Sequence, residues 1–299
     1  PQARSDKAFV MGMVFNIALD GLSYGMVLFM ISVGLSVTLG LMRVINLAHG
    51  GFALLGGALM HGLTFQLGWP FALALPVSVL SVTLIALPME YVFFRPLYGK
   101  GDLTQVLATI GLTFLMIAFV NWLYGSALLG IPLPPSLRGT VDLGLRTLPV
   151  QRVAVIVTGI VVLGALYGLI ERTRFGIWLR ASVDNRAAAE ALGINTRWVF
   201  AATFALGAGL AALGGVLGAE LMPIEAYYPL RYLVVILAVV AVGGMGSVWG
   251  AWFAALGLGL IDTAARYALP DFGTIFFFAA LIVVLALRPQ GLSGRAYDV

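Results

Sequence analysis

The chain predicts an all-α fold, a polytopic bundle of membrane-spanning helices. Three observations carry this expectation. Of its 299 residues, 61% are hydrophobic and 10% charged, with a mean hydropathy of +1.02. Soluble domains carry about 25% charged residues, so most of this surface must meet lipid rather than water. Apolar runs recur at close to the ~20 residues needed to cross a bilayer. They lack the polar alternation of a transmembrane barrel, and lipid cannot satisfy open backbone groups, so each run must close its hydrogen bonds as a helix.

The apolar segments lie near 12–42, 47–67, 70–93, 104–124, 151–170, 198–221, 231–243, 247–266 and 273–287. They predict about eight or nine spans in one transmembrane domain covering 1–299. The start, PQARSDKAFVMG, lacks an initiator Met, so the chain is trimmed or numbered from an internal position. Arg4 and Lys7 precede an apolar stretch without a small-residue cleavage site, which predicts an uncleaved first span. Segment 12–42 is long for one crossing and is either tilted, kinked or broken. Segment 231–243 is short and ends at Gly243, Gly244 and Gly246, the pattern of a half-helix or re-entrant piece. Gly214 and Gly218 are spaced GxxxG, as are Gly246 and Gly250, and Gly207, Ala211 and Gly215 form a parallel small-residue face. In lipid, close backbone approach must supply the packing, within the bundle or across a dimer face. HGGFALLGGALMHGL (49–63) and GSVWGAWFAALGLGL (246–260) form a loose internal repeat of a kind transporters use.

Lys and Arg set the orientation. Arg95 and Lys100, then Arg172, Arg174, Arg180, Arg186 and Arg197, then Arg288 and Arg295, fall on one side if every segment crosses once. That side is expected to be the cytoplasm. The Pro-rich loop 125–150, with Arg138 and Arg146, falls outside. The net charge of +4 comes without a basic run, so nucleic acid is not an expected partner.

The chain has no cysteine, which excludes disulfides and thiolate chemistry. Its two histidines, His49 and His61, show no ligand spacing, so an enzyme is not expected. Asp20 and Asp262 could couple an ion to transport, as intramembrane acids do, or stand as interfacial and packing carboxylates. GGMGSVWG (243–250) lacks the spacing of a dinucleotide loop and no Walker A pattern occurs. The stretch reads as a tight turn with Ser247 capping the next helix. In LMRVINLAHGG (41–51), Asn46 and His49 share a helix face and interrupt an apolar region beside Arg43. They form either a polar turn at the interface or the mouth of a permeation path. Asn46, His49, Gly50, Gly243, Gly244, Gly246 and Ser247 are therefore candidates for path or gate.

The polar interruption at 171–197, ERTRFGIWLRASVDNRAAAEALGINTR, is longer than a connector within a bundle needs to be. It predicts a short helix, Asn185 to Leu192, capped by Asp184 and ended by Gly193. Ala187, Ala188, Ala191 and Leu192 make one face small and apolar, and Arg186 and Glu190 pair on the other. Such a helix fits a groove on a soluble partner, or lies on the membrane as a connector.

LGLMRVINLAHGGFALLGG (39–57), RASVDNRAAAEALGIN (180–195), AVGGMGSVWGA (241–251) and RPQGL (288–292) together resemble the branched-chain amino-acid ABC transporter permeases. The match is closest to the first of that family's two membrane subunits and runs in order over nearly the whole chain. The resemblance implies an importer subunit in the bacterial inner membrane. Its implied partners are a second permease, two cytoplasmic ATPases that carry the ATP and Mg, and a periplasmic substrate-binding protein. It implies no cofactor on this chain. It also implies that AAAEALGI is the element an ATPase grips, with Arg180, Asp184, Arg186, Glu190, Ala191, Leu192, Gly193 and Ile194 in the coupling loop. Transport would follow alternating access. Relatives that move urea, amides or organic acids leave the solute open. Against this stand an ion-coupled carrier using Asp20 or Asp262, and a passive membrane anchor, which would not need glycines at its segment breaks.

Overall fold

The structure, a computed structural model, describes residues 2–42, 44–142 and 147–293. Arg43, Arg146, Arg295 and the side chains of Arg4 and Lys7 lie outside the described residues. All nine apolar segments are helical, and two further helices lie within 171–197, so the described residues hold eleven α-helices. In chain order these are α1 (Gln2–Met42), α2 (His49–His61), α3 (Phe71–Met89), α4 (Asp102–Tyr124), α5 (Val150–Arg172), α6 (Arg174–Asp184), α7 (Arg186–Ala191), α8 (Thr196–Leu217), α9 (Tyr228–Gly243), α10 (Val248–Ala268) and α11 (Gly273–Leu287). Among the described residues six are long and apolar enough to cross a membrane; α9 and α11 are shorter apolar helices of 16 and 15 residues. α2 runs on through a π-helical turn, Gly62–Gln66, and α3 through another, Glu90–Phe94. Between α4 and α5 a small antiparallel hairpin pairs β1 (Thr140–Asp142) with β2 (Thr147–Pro149), Val141 opposite Leu148.

α1 and α8 form the centre of the bundle. Of their spanning windows 83% and 72% are buried, against 22% in α3 and 28% in α5. They cross antiparallel at Gly34 and Gly207. A Cβ added at Gly34 would lie 2.6 Å from the Gly207 Cα, so the two backbones touch. The small-residue faces read from the sequence are spent on this packing: Gly214 and Gly218 meet Ile31 and Val27 of α1, and Gly215 meets Ala53 of α2. With little hydrophobic force between helices in lipid, such close approach is what holds them.

Of the alternatives for segment 12–42 the broken one is overturned, and segment 231–243 is extended. Segment 12–42 belongs to one continuous helix, α1, of 41 residues. The short segment 231–243 starts earlier, at Tyr228, whose ring is fully buried. The break instead lies before α2. Met42 ends α1, and α2 begins only at His49, whose Nε2 lies 2.9 Å from the Ile31 carbonyl. Ile31 is about midway between Asp20 and Gly40, so α2 starts inside the bundle rather than at its surface.

The bundle has two ends. At one, here the loop end, Gly40 packs on Gly246 and α6 and α7 follow α5. At the opposite end Asp20 pairs with Arg152 and accepts a hydrogen bond from the Tyr267 hydroxyl at 2.7 Å.

Candidate functional site

The structure distributes the sequence candidates over three places. The first is the 171–197 interruption, which holds two helices rather than one. α6 is the unexpected one; it extends through Asp184 and so places that residue inside a helix. The cap of α7 is therefore Asn185, not Asp184. Asn185 leaves the helical region (φ −150°, ψ 97°), and its Oδ1 accepts from the Ala188 N–H at 3.0 Å. Both residue types cap well; the backbone turn decides between them. α7 also stops at Ala191, and Gly193 turns the chain away at φ +82°, a conformation that favours glycine. Its N–H donates to the Glu190 carbonyl, and the Ile194 N–H to the Ala189 carbonyl, both at 3.0 Å.

The pair expected across this turn is present. Arg186 Nε donates to Glu190 Oε1 at 2.9 Å, and the Thr196 hydroxyl donates to the same oxygen at 2.5 Å. The Thr196 bond, then the Arg186 bond, holds the Glu190 carboxyl below the usual carboxylate range. Thr196 opens α8, so Glu190 ties α7 to the central helix. Arg180 stands apart: its Nη1 donates to the Ile170 carbonyl at 3.0 Å and pairs with Glu171, fastening α6 to the end of α5. Ala189 is buried, whereas Ala187, Ala188, Ala191 and Leu192 face outward, Leu192 with 81% of its surface exposed. An apolar knob is thus held on a small-residue face by a polar frame that is already satisfied.

The second place is the turn between α9 and α10. Gly244 and Gly246 take φ +90° and +83°, and Ser247 caps α10 by accepting from the Gly250 N–H at 2.9 Å, as expected. The terminal RPQGL motif lies on this turn. The Leu292 N–H donates to the Val242 carbonyl at 2.7 Å and the Ser293 N–H to the Gly243 carbonyl at 3.2 Å. The Gly246 N–H donates to the Ser36 carbonyl of α1 at 3.0 Å. Gly243, Gly244, Gly246 and Ser247 therefore sit in a tight knot at the loop end.

The third place is the start of α2, where Asn46, His49 and Gly50 are buried together. The structure does not bring them to the 243–247 turn. A line of aromatic rings connects them to the first place instead. The Arg186 guanidinium lies 5.9 Å from the Phe200 ring. Phe200 meets Tyr98 at 6.2 Å, and one turn further along α8 Phe204 meets Phe94 at 4.4 Å and Phe52 at 5.6 Å. Phe52 meets His49 at 6.2 Å. Sequence reading missed Phe200 and Phe204, although their spacing of four already puts them on one helix face.

The acids considered for ion coupling are both engaged. Asp20 is held by Arg152 and Tyr267, and Asp262 by Arg266 Nε at 2.7 Å and Nη2 at 3.3 Å. Glu90, fully buried, accepts from Arg95 Nη2 and the Tyr98 hydroxyl, both at 2.9 Å. Among the described residues no group of three His, Cys, Asp or Glu could hold a metal.

Residues 17–285 match the family described as the branched-chain amino acid transport system permease component. The chain belongs to that family. It is 29% identical over 294 residues to the high-affinity branched-chain amino acid transport system permease protein LivH of Escherichia coli K12, covering 92% of this chain and 94% of the relative. It is 27% identical over 290 residues to BraD of Pseudomonas aeruginosa, again over 92% and 94%. A probable LivH from Methanocaldococcus jannaschii shares 25% over 288 residues, 91% of this chain and 90% of that one. No solved structure matches. This permease is thus a multi-pass membrane transport component rather than an enzyme.

Proposed function

We propose that the permease is the membrane-spanning subunit of an ATP-driven importer of branched-chain amino acids in a bacterial inner membrane. The observation that carries the ATP-driven part is α7: an exposed, small-faced helix with Leu192 at its tip, braced on α8 by Glu190 and Thr196. It is built to be pushed by a partner, and the chain's sequence holds no nucleotide-binding motif of its own. The single domain 1–299 works with a second permease and two ATPases that hold ATP and Mg. A substrate-binding protein delivers solute at the opposite end. The loop end faces the cytoplasm. Arg95, Lys100, Arg172, Arg174, Arg180, Arg186, Arg197 and Arg288 gather there, outnumbering Arg138, Arg152, Arg231 and Arg266 toward the opposite end.

The mechanism is alternating access. ATP binding and hydrolysis move the ATPases, α7 moves with them, and Phe200 and Phe204 of α8 carry that movement to the start of α2. The permease needs no tight substrate site, because selection lies in the binding protein. The substrate class follows the relatives, whose names specify branched-chain amino acids.

The test is reconstitution with the ATPases and binding protein in proteoliposomes. L-leucine uptake should require ATP, and the ATPases should co-purify with the permease. Uptake by this chain alone, driven by an ion gradient without ATP, would show an ion-coupled carrier instead.

A further inference from the structure

The start of α2 lies in the bundle interior. After α1 the chain turns back into the protein along α4. The Ile45 N–H donates to Gln105 Oε1 at 2.8 Å and the Leu47 N–H to Thr109 Oγ1 at 3.3 Å. α4 thereby holds the connecting segment at Ile45 and Leu47.

No side chain caps α2. The first turn is closed only by backbone contacts: the His49 N–H to the Asn46 carbonyl at 3.4 Å and the Gly51 N–H to the Ala48 carbonyl at 2.9 Å. Asn46 stands at the mouth of this turn with 1% of its surface exposed, and neither its Oδ1 nor its Nδ2 has a partner. Among the described residues it is the one side chain with two such orphaned atoms; the others are Ser23, Ser32 and Ser36 of α1 and Trp252 Nε1. Ser32 follows directly on Ile31, the residue that receives His49.

A buried helix start leaves backbone N–H groups without partners and carries the positive end of the helix dipole. Together these make an anion-receptive site, and discontinuous membrane helices use such starts for the anionic groups of their substrates. Here the donors are neutral: backbone N–H groups and the Asn46 amide. The surrounding wall is apolar: Gly51 packs on Met116 of α4, and Gly50 lies against Pro229 and Ile236 of α9. Donors for a carboxylate beside apolar surface for a branched side chain match the two ends of one amino acid. The same close packing shuts the site in this structure, so α4 or α9 must withdraw for a solute to occupy it.

We propose that Asn46 and the first turn of α2 form a transit site that receives the α-carboxylate of the amino acid crossing the permease. The inference rests on the importer reading above and adds the point in the path at which the charged end of the solute is compensated.

The test uses the whole complex in proteoliposomes with leucine-loaded binding protein, reading L-leucine imported per ATP hydrolysed. Asn46→Asp is nearly isosteric and places a negative charge where a helix start tolerates it, but it repels a carboxylate. The ratio should fall at least tenfold. Asn46→Ala should lower it severalfold, and Asn46→Ser, which keeps a donor, should retain at least three times the ratio of Asn46→Ala. Equal ratios for Asn46→Ser and Asn46→Ala, or an Asn46→Asp ratio within twofold of wild type, overturn the proposal. So does a proportionate fall in uptake and hydrolysis, which would mark Asn46 as merely structural. A wild-type complex that hydrolyses ATP without importing leucine overturns the importer reading as well. Wild-type import that is indifferent to Asn46 overturns only the transit site.

Discussion

The two polar interruptions of this chain are built in opposite ways. At 171–197 the polar groups are consumed in making a shape. Asn185 and Asn195 cap α7 and α8, Glu190 takes both Arg186 and Thr196, and the apolar Leu192 projects from this frame with most of its surface exposed. At the start of α2 the shape is made by backbone and neighbours, and the polar groups of Asn46 are left over inside the bundle. A satisfied polar frame presents an apolar tip to a protein partner. An unsatisfied buried one keeps donors for a solute. The contrast separates the surface where force would enter from the place where a solute would pass.

The comparison can be broken first at Gly193. Proline cannot take φ +82°, and Gly193→Pro also removes the N–H that closes α7. ATP hydrolysis stimulated by loaded binding protein should fall at least tenfold, while Gly193→Ala should cost less. A Gly193→Pro complex with full stimulated activity would remove α7 from the coupling route.

Phe204→Ala addresses the connection between the regions. It deletes the ring that touches both Phe94 and Phe52, so leucine imported per ATP should drop severalfold with the ATPases still bound. An unchanged ratio would mean that the movement travels elsewhere.

Asn185→Ala should have a smaller effect. Losing a helix cap costs about 1 kcal/mol, to be read as roughly fivefold weaker ATPase binding to the permease.

The smallest effect is expected from pH. Because Thr196 and Arg186 hold the Glu190 carboxyl below its usual range, the stabilisation they give is present in full above the ordinary carboxylate pKa of about 4.3. It is lost only as pH falls through the depressed value. Coupling should therefore be indifferent to Glu190 titration between pH 7 and 5.5, and Glu190→Gln should show the same flat profile over that window at a lower level.

The membrane segments were legible because each is a predominantly apolar run, and composition alone decides what surrounds it. The Arg186–Glu190 pair and the Ser247 cap were legible because they are local, set by spacings of four and three. The break before α2 was harder. Asn46 and His49 were visible as polar intruders, but whether they lie at a surface or at mid-depth depends on Ile31, Gln105 and Thr109, which are distant in sequence. The glycines at 243–246 read both as the end of a half-helix and as a tight turn, because glycine permits either; the structure shows the turn. α6 escaped notice because its residues are mixed in character, and its place is fixed by Arg180 reaching the Ile170 carbonyl.

The docking of residues 291–293 on the α9–α10 turn has a consequence for synthesis. A chain made from its N-terminus completes α9 and α10 before Leu292 exists, so the Val242 and Gly243 carbonyls wait for partners that are translated some fifty residues later. The turn can mature only once α11 has been delivered to the membrane. A ribosome stalled within α11 would therefore hold a nascent permease in which this last fastening is still undone.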